Sequence, residues 1–254
     1  MKKLFNETII YGIGAILPRI ITFILNPFYI NYINKEEFAQ FTNLYAWIAF
    51  VNILLTFGFE TSFFRYSSEE NNKEKAFNTS FWFLAATSIT FLLTALVFSV
   101  PIANLIGYAD HPEYIRWFAW IAFFDTIIVI PFAWLRFNNK PIKYTAIRVA
   151  QILVQTLVVL SLFLFIPKQW SSDLGMKNQV SYHFISNVIG SIFGVLLLLP
   201  IFLKVKTQFS KELFKKMIKY SYPVMLAGFA FMVNENFDKV IQYNIISEAD
   251  AGAY

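Results

Sequence analysis

Arg19 is the side chain most out of keeping with its surroundings. It lies beside Pro18 in "GAILPRIITF" (14–23), inside the first long apolar run of the chain. A charge at the centre of a bilayer costs a few kcal/mol or more, so it faces protein or a water-filled cavity. Two chemistries fit. Arg19 lines a transport cavity and meets an anionic group, or it is a structural arginine paired with an acid on another helix. At helical spacing Arg19 shares a face with Thr8, Gly12, Ala15, Thr22 and Asn26, whereas Ile9, Ile13, Leu17, Ile20, Ile21, Ile24 and Phe28 form the opposite one. The cost of central charge favours the cavity. Pro18 also lacks a backbone donor, which leaves the carbonyl near Gly14 open beside the charge.

Other apolar runs carry polar stripes of their own. The second has Tyr45, Ala49, Asn52, Thr56 and Glu60, and the fourth places Asp125 near its middle. The fifth carries Tyr144, Arg148, Gln151 and Gln155, and the seventh is densest, with Asn234, Glu235, Asn236, Asp238, Lys239 and Gln242. Glu235 and Lys239 also suit a simple i,i+4 ion pair. Stripes on several helices fit one shared aqueous cavity better than isolated pairs. Arg65, Arg136 and Arg148 fall near run ends, where interface anchoring is the ordinary role. Ser186, Gly190 and Gly194 form a small-xxx-small strip suited to helix packing.

Several chemistries are excluded. The chain has no cysteine, which removes disulfides, thiolate metal sites and a cysteine nucleophile. Its two histidines, His111 and His183, have no ligand spacing, and there is no nucleophile elbow, phosphate-binding loop or zinc-protease motif. No cofactor and no metal are expected. The net charge of +5 is distributed by loop rather than as a nucleic-acid patch, so no nucleic-acid partner is expected.

The elements that position these residues follow from composition. Of 254 residues 57% are hydrophobic and 15% charged, with mean hydropathy +0.53. Weakly charged stretches of about twenty residues recur, the length needed to cross roughly 30 Å of hydrocarbon, and runs such as "LVQTLVVLSLFLFI" do not alternate as barrel strands would. The expected fold class is all-α, a polytopic helical membrane protein. Spans are expected at about 6–32, 39–64, 77–99, 114–135, 142–166, 179–203 and 221–246. "NKEE" (34–37) resembles a capping box at the start of the second. The opening "MKKLF" imitates a signal peptide, but the apolar run is too long and lacks a small-residue cleavage pattern.

Loop charge sets the orientation. One side holds Lys2, Lys3, Arg65, Lys73, Lys75, Arg136, Lys140, Lys143, Arg148 and six lysines between 204 and 219; the other holds only Lys35, Arg116, Lys168 and Lys177. The positive-inside rule then puts the N-terminus in the cytoplasm. The basic stretch 204–219 reads equally as a helix along the inner leaflet or a solvated connector. "INKEEFAQF" (33–41) and "ISEADAGAY" (246–254) are faintly alike and follow the first and seventh spans, as a parallel six-helix repeat would place them. The expected organisation is a six-helix N-terminal lobe at 1–205, a basic cytoplasmic connector at 206–219, and the first helix of a second lobe at 220–254, whose remainder belongs to a longer chain.

With these features in place, the chain resembles the polysaccharide-exporter branch, that of lipid-linked oligosaccharide flippases, in the multidrug/oligosaccharidyl-lipid/polysaccharide superfamily. Four stretches carry the likeness: "LFNETIIYGIGAILPRIITFILNPFYINYINKEEFAQF" (4–41), "FGFETSFFRY" (57–66), "PFAWLRFNNKPIKY" (131–144) and "YSYPVMLAGFAFMVNENFDKVIQYNIISEADAGAY" (220–254). The resemblance implies two six-helix lobes around a cavity that opens alternately to each face, and a polyprenyl-pyrophosphate-linked glycan as the partner within membrane lipid. It implies a non-enzymatic transporter in a bacterial inner membrane, driven by a coupling cation not identified from sequence. Arg19, and with it Asn26, Arg148 and Lys239, become candidates for substrate binding. Asn52, Glu60, Asp125, Gln155 and Asp238 become candidates for coupling or cavity lining. Three alternatives stay open: a cation-coupled multidrug exporter, which would use the acids Glu60, Asp125 and Asp238, a non-transporting assembly subunit, and a polytopic glycosyltransferase or polymerase. The last normally needs a sizeable external loop with paired acids, whereas Glu36 and Glu37 look like helix-start residues.

Overall fold

The computed structural model describes residues 2–69, 72–165 and 179–245. Among these, all regular structure is helical. The helices are α1 (Lys2–Tyr32), α2 (Lys35–Thr56), α3 (Phe59–Ser67), α4 (Lys73–Val97), α5 (Ser99–Leu105), α6 (Pro112–Ile127), α7 (Val129–Phe137), α8 (Pro141–Phe165), α9 (Val180–Phe202) and α10 (Lys211–Ile245). Five stretches are long and apolar enough to cross a membrane: Lys35–Ser67, Lys73–Val97, Pro112–Phe137, Pro141–Phe165 and Val180–Phe202. The chain is therefore an all-α, multi-pass membrane protein.

Local sequence explains where these helices start and bend. Asn34 caps α2 by accepting from the Glu37 amide at 2.7 Å, with Glu36 and Glu37 in the first turn against the positive helix end. The expected capping box is thus present on its asparagine side. Pro112 and Pro141 stand at helix starts, where a missing amide hydrogen costs nothing. Two expected spans are broken in the middle. The second bends at Phe57 and Gly58, both at positive φ (51° and 66°). Gly58 is also pressed against α10, where an added Cβ would sit 3.0 Å from the Ser221 carbonyl oxygen. The fourth divides at Ile128, and Pro131, which lacks the amide hydrogen that would continue the helix across this point, falls in the first turn of α7. Lys211–Ile245 forms one helix, so the basic stretch is helical from Lys211 onward.

Helix α8 packs between α1 and α9; α9 continues onto α6, and α6 onto α4. Helix α2 crosses α6 and supports α10, which also rests on α3. The strip of small residues on α9 acts as a packing surface: a Cβ at Gly190 would lie 3.1 Å from the Gln151 carbonyl oxygen and 3.1 Å from Cβ of Gln155. Close approach of α8 and α9 thereby holds both glutamines at one level.

Two large apolar clusters dominate the core, beside three smaller ones among the described residues. One gathers Phe59, Phe63, Phe77, Phe132, Ile128 and Met217; the other gathers Leu44, Ile48, Tyr114, Ile121, Phe184 and Val188. Along α6 and α7, Asp125 falls between Ile121 of the second cluster and Ile128 of the first. Polar side chains meet in the layer between them.

Candidate functional site

A polar cavity of about 170 Å³ occupies that layer, lined by Pro18, Asp125, Arg148, Gln151, Ile152, Gln155, Asn187, Gly190 and Ser191. Four helices contribute: α1 through Pro18, α6 through Asp125, α8 through Arg148 and the glutamines, α9 through Asn187 and Ser191. Asp125 and Arg148 thus share one chamber in the middle of an apolar bundle.

Asp125 is held by donors. Asn52 Nδ2 donates to its Oδ2 at 3.4 Å, and Ser191 Oγ lies 3.5 Å from its Oδ1. Ser191 also lies 3.4 Å from Asn187 Oδ1, and Asn187 Nδ2 donates to the Tyr45 hydroxyl at 3.0 Å. The lengths near 3.5 Å are those of weak bonds, so this carboxylate is positioned without being saturated. Arg148 lies with its guanidinium carbon 4.0 Å from the Phe132 ring centroid, a cation–π contact that supports the charge without neutralising it. Asn52 Oδ1 and Gln151 Oε1 are buried acceptors with no donor among the described residues. A chamber with a carboxylate, open amide oxygens and a hydroxyl is chemically suited to a hard cation or a proton, and its arginine to an anion.

The structure brings some expected residues together and separates others. Asp125, Arg148 and Gln155 line the chamber, and Asn52 bonds its carboxylate. Arg148 is therefore a wall residue of this chamber. Glu60 stands apart from this chamber: it is ion-paired with Arg136, both partly exposed, because the bend at Ile128 turns α7 toward the start of α3. That pair lies beside the Phe64 and Tyr144 rings, 5.0 and 5.8 Å from the Arg136 guanidinium carbon. Asp125 and Arg136 accordingly belong to different sites. The side chains of Asn26, Asp238 and Lys239 lie outside the described residues.

Arg19 is exposed on α1 and forms no ion pair among the described residues. The strip of α1 that meets α8 runs through Tyr11, Gly14 and Pro18. There the Thr145 hydroxyl donates to the Ile10 carbonyl at 2.8 Å, and Tyr11 sits edge-on to Tyr144 at 5.5 Å. Arg19 is on one flank of that strip, with Gly12 in open space; Ile13 and Ile24 are exposed on the other, at 49% and 66%. Pro18 therefore points into the chamber while Arg19 faces out of the lobe.

Asn187 and Ser191 are the polar wall residues not singled out from sequence. Their signal was available, since His183, Asn187 and Ser191 repeat at four-residue spacing on an otherwise apolar helix.

Residues 4–254 match the family model described as polysaccharide biosynthesis protein. No curated protein and no solved structure matches the chain.

Proposed function

The chain belongs to the polysaccharide biosynthesis protein family, a membership that gives it a role in polysaccharide biosynthesis or export, and we propose that it is a transporter rather than an enzyme. Its cargo is a polyprenyl-pyrophosphate-linked oligosaccharide, moved from the cytoplasmic to the outer leaflet of a bacterial inner membrane by alternating access. The N-terminus is cytoplasmic. Such cargo has a head too polar for hydrocarbon and a tail that never needs to leave it, so a cationic path open to the side serves it.

The observation that carries this reading is the shared chamber of Asp125 and Arg148. A volume of about 170 Å³ is enough for an ion with its waters and far too little for an oligosaccharide. The chamber is therefore the coupling site, and the glycan head travels along the outward face that bears Arg19. Asp125 and Arg148 balance one another at rest. A cation or proton arriving at Asp125 removes that balance and leaves the Arg148 guanidinium to seek an anion. Pyrophosphate oxygens meet the demand with paired, charge-assisted hydrogen bonds. Arg19 takes the same headgroup on that outward face, and Asn26, Asp238 and Lys239 are further candidates for contact with it.

The test is flipping of a labelled pyrophosphate-linked glycolipid in proteoliposomes under an imposed proton or sodium gradient. Asp125→Asn, which stays neutral, should fold, lose its response to the gradient and slow driven flipping at least about ten-fold, the effect of ~1.4 kcal/mol on a barrier. Gradient-driven flipping at the wild-type rate by that variant would reduce Asp125 to a packing residue.

A further inference from the structure

The segment joining α9 to α10 is fastened to α4. The Lys206 amide donates to Asn78 Oδ1 at 3.0 Å, and its carbonyl accepts from Trp82 Nε1 at 2.9 Å. The Ser210 amide donates to Thr79 Oγ1 at 3.2 Å, and Lys206 Nζ reaches Glu74 Oε2 at 2.7 Å. This is the segment from which α10 departs. Beside it opens a second cavity, of about 260 Å³, lined by Glu74, Phe77, Asn78, Trp134, Leu203, Lys204 and Lys206.

Its charge is unbalanced. Glu74 is the one acid in the wall, facing Lys204 and Lys206, with Lys73 5.1 Å from the centroid of the Trp134 ring and bonded to Asn138 Oδ1 at 2.6 Å. The lip is apolar and continues down the membrane. Ile189, Ile192, Leu196, Leu199 and Leu203 are all exposed and recur at three- and four-residue steps along α9, which makes one stripe ending at the cavity. Fourteen steps of 1.5 Å from Ile189 to Leu203 make that stripe roughly 21 Å long. One leaflet contributes about 15 Å of hydrocarbon, so the stripe is long enough for an acyl chain.

We infer that this cavity binds an anionic phospholipid, its phosphate between Lys204 and Lys206 and an acyl chain along the α9 stripe, so that lipid secures the segment from which α10 departs. The site is distinct from the Asp125 chamber and rests on the proposed orientation only for its assignment to the inner leaflet. Glu74 competes with the phosphate for Lys206, which makes the site one that responds to lipid charge and to salt.

The protein is purified from membranes with phosphatidylglycerol or phosphatidylcholine present, and retained lipid is counted by native mass spectrometry. Phosphatidylglycerol should be retained in preference. Lys204→Gln, whose side chain is exposed, should lower its retention about five-fold, the effect of one lysine near a charged surface. Glu74→Gln should raise it by a similar factor, a direction opposite to that expected if Glu74 and Lys206 form only a structural ion pair. Lys35→Gln, at the start of α2, should change nothing. Equal retention of the two lipids, or no change with Lys204→Gln, would overturn the proposal. So would displacement by excess inorganic phosphate, which would make the site one for free phosphate. Cysteine labelling reads the orientation separately, so failure of that reading leaves lipid retention still interpretable.

Discussion

Replacing Gly190 and Gly194 by alanine, one at a time, tests whether α8 and α9 position the Asp125 chamber by close approach. Alanine favours a helix interior over glycine by about 1 kcal/mol, so on propensity alone both variants should be stabilised. The contacts differ, however. At Gly190 the new methyl would stand 3.1 Å from the Gln151 carbonyl oxygen and 3.1 Å from Cβ of Gln155, atoms that move only with the α8 backbone. Overpacking of this kind costs roughly 1–3 kcal/mol, so Gly190→Ala should be net destabilising by about 1 kcal/mol. At Gly194 the methyl would overlap the end of the Gln151 side chain, which swings aside by a rotamer change. Gly194→Ala should therefore keep near wild-type stability while removing the Gln151 amide from the wall, with impaired transport. Thermal unfolding of the purified protein in detergent reads the first quantity, and flipping in proteoliposomes the second. Stabilisation of Gly190→Ala by the full ~1 kcal/mol of propensity would refute the reasoning, because it would mean that the two helices do not meet there.

Gly58→Ala should be destabilising by about 1–3 kcal/mol, since it combines positive φ with an approach of 3.0 Å to the Ser221 carbonyl, and thermal unfolding checks it. Single cysteines in this cysteine-free chain report orientation: Ser68→Cys and Thr207→Cys should react with an impermeant thiol reagent only after the membrane is opened, and Asp110→Cys in intact cells. Labelling of Ser68→Cys in intact cells would reverse the topology.

Much of the fold was legible because membrane helices announce themselves by length and apolarity, and caps such as Asn34 by a local pattern. The bends were not. Pro131 lies inside an apolar run, and hydropathy cannot say whether such a run continues or restarts. The bend at Phe57 depends on how closely α10 approaches Gly58, a contact between distant parts of the chain. The same bend at Ile128 explains why Glu60 meets Arg136 instead of the chamber: on one unbroken helix Arg136 would share a face with Asp125, a continuity that the bend removes. Asp125, Arg148 and Gln155 were legible as polar residues at membrane depth, because such residues are costly unless they face a cavity or a partner. Asn187 and Ser191 were overlooked because the adjacent Gly190 and Gly194 dominate that helix as a packing pattern. Two patterns one residue apart in phase serve two faces of α9, and only the packed structure separates them.

The central claim is that a pyrophosphate-linked glycolipid crosses the membrane by way of the exposed arginine on α1. The direct measurement is the flipping rate of that labelled lipid in proteoliposomes holding the native protein, compared with its Arg19→Ala and Arg19→Lys variants. Five fixed donors and a charge that persists on partial desolvation suit pyrophosphate better than one mobile ammonium. Flipping should therefore be lost or reduced at least about ten-fold in Arg19→Ala and only partly restored in Arg19→Lys, with thermal stability nearly unchanged because Arg19 forms no ion pair among the described residues. Undiminished flipping by Arg19→Ala, or unfolding of that variant, would contradict the account.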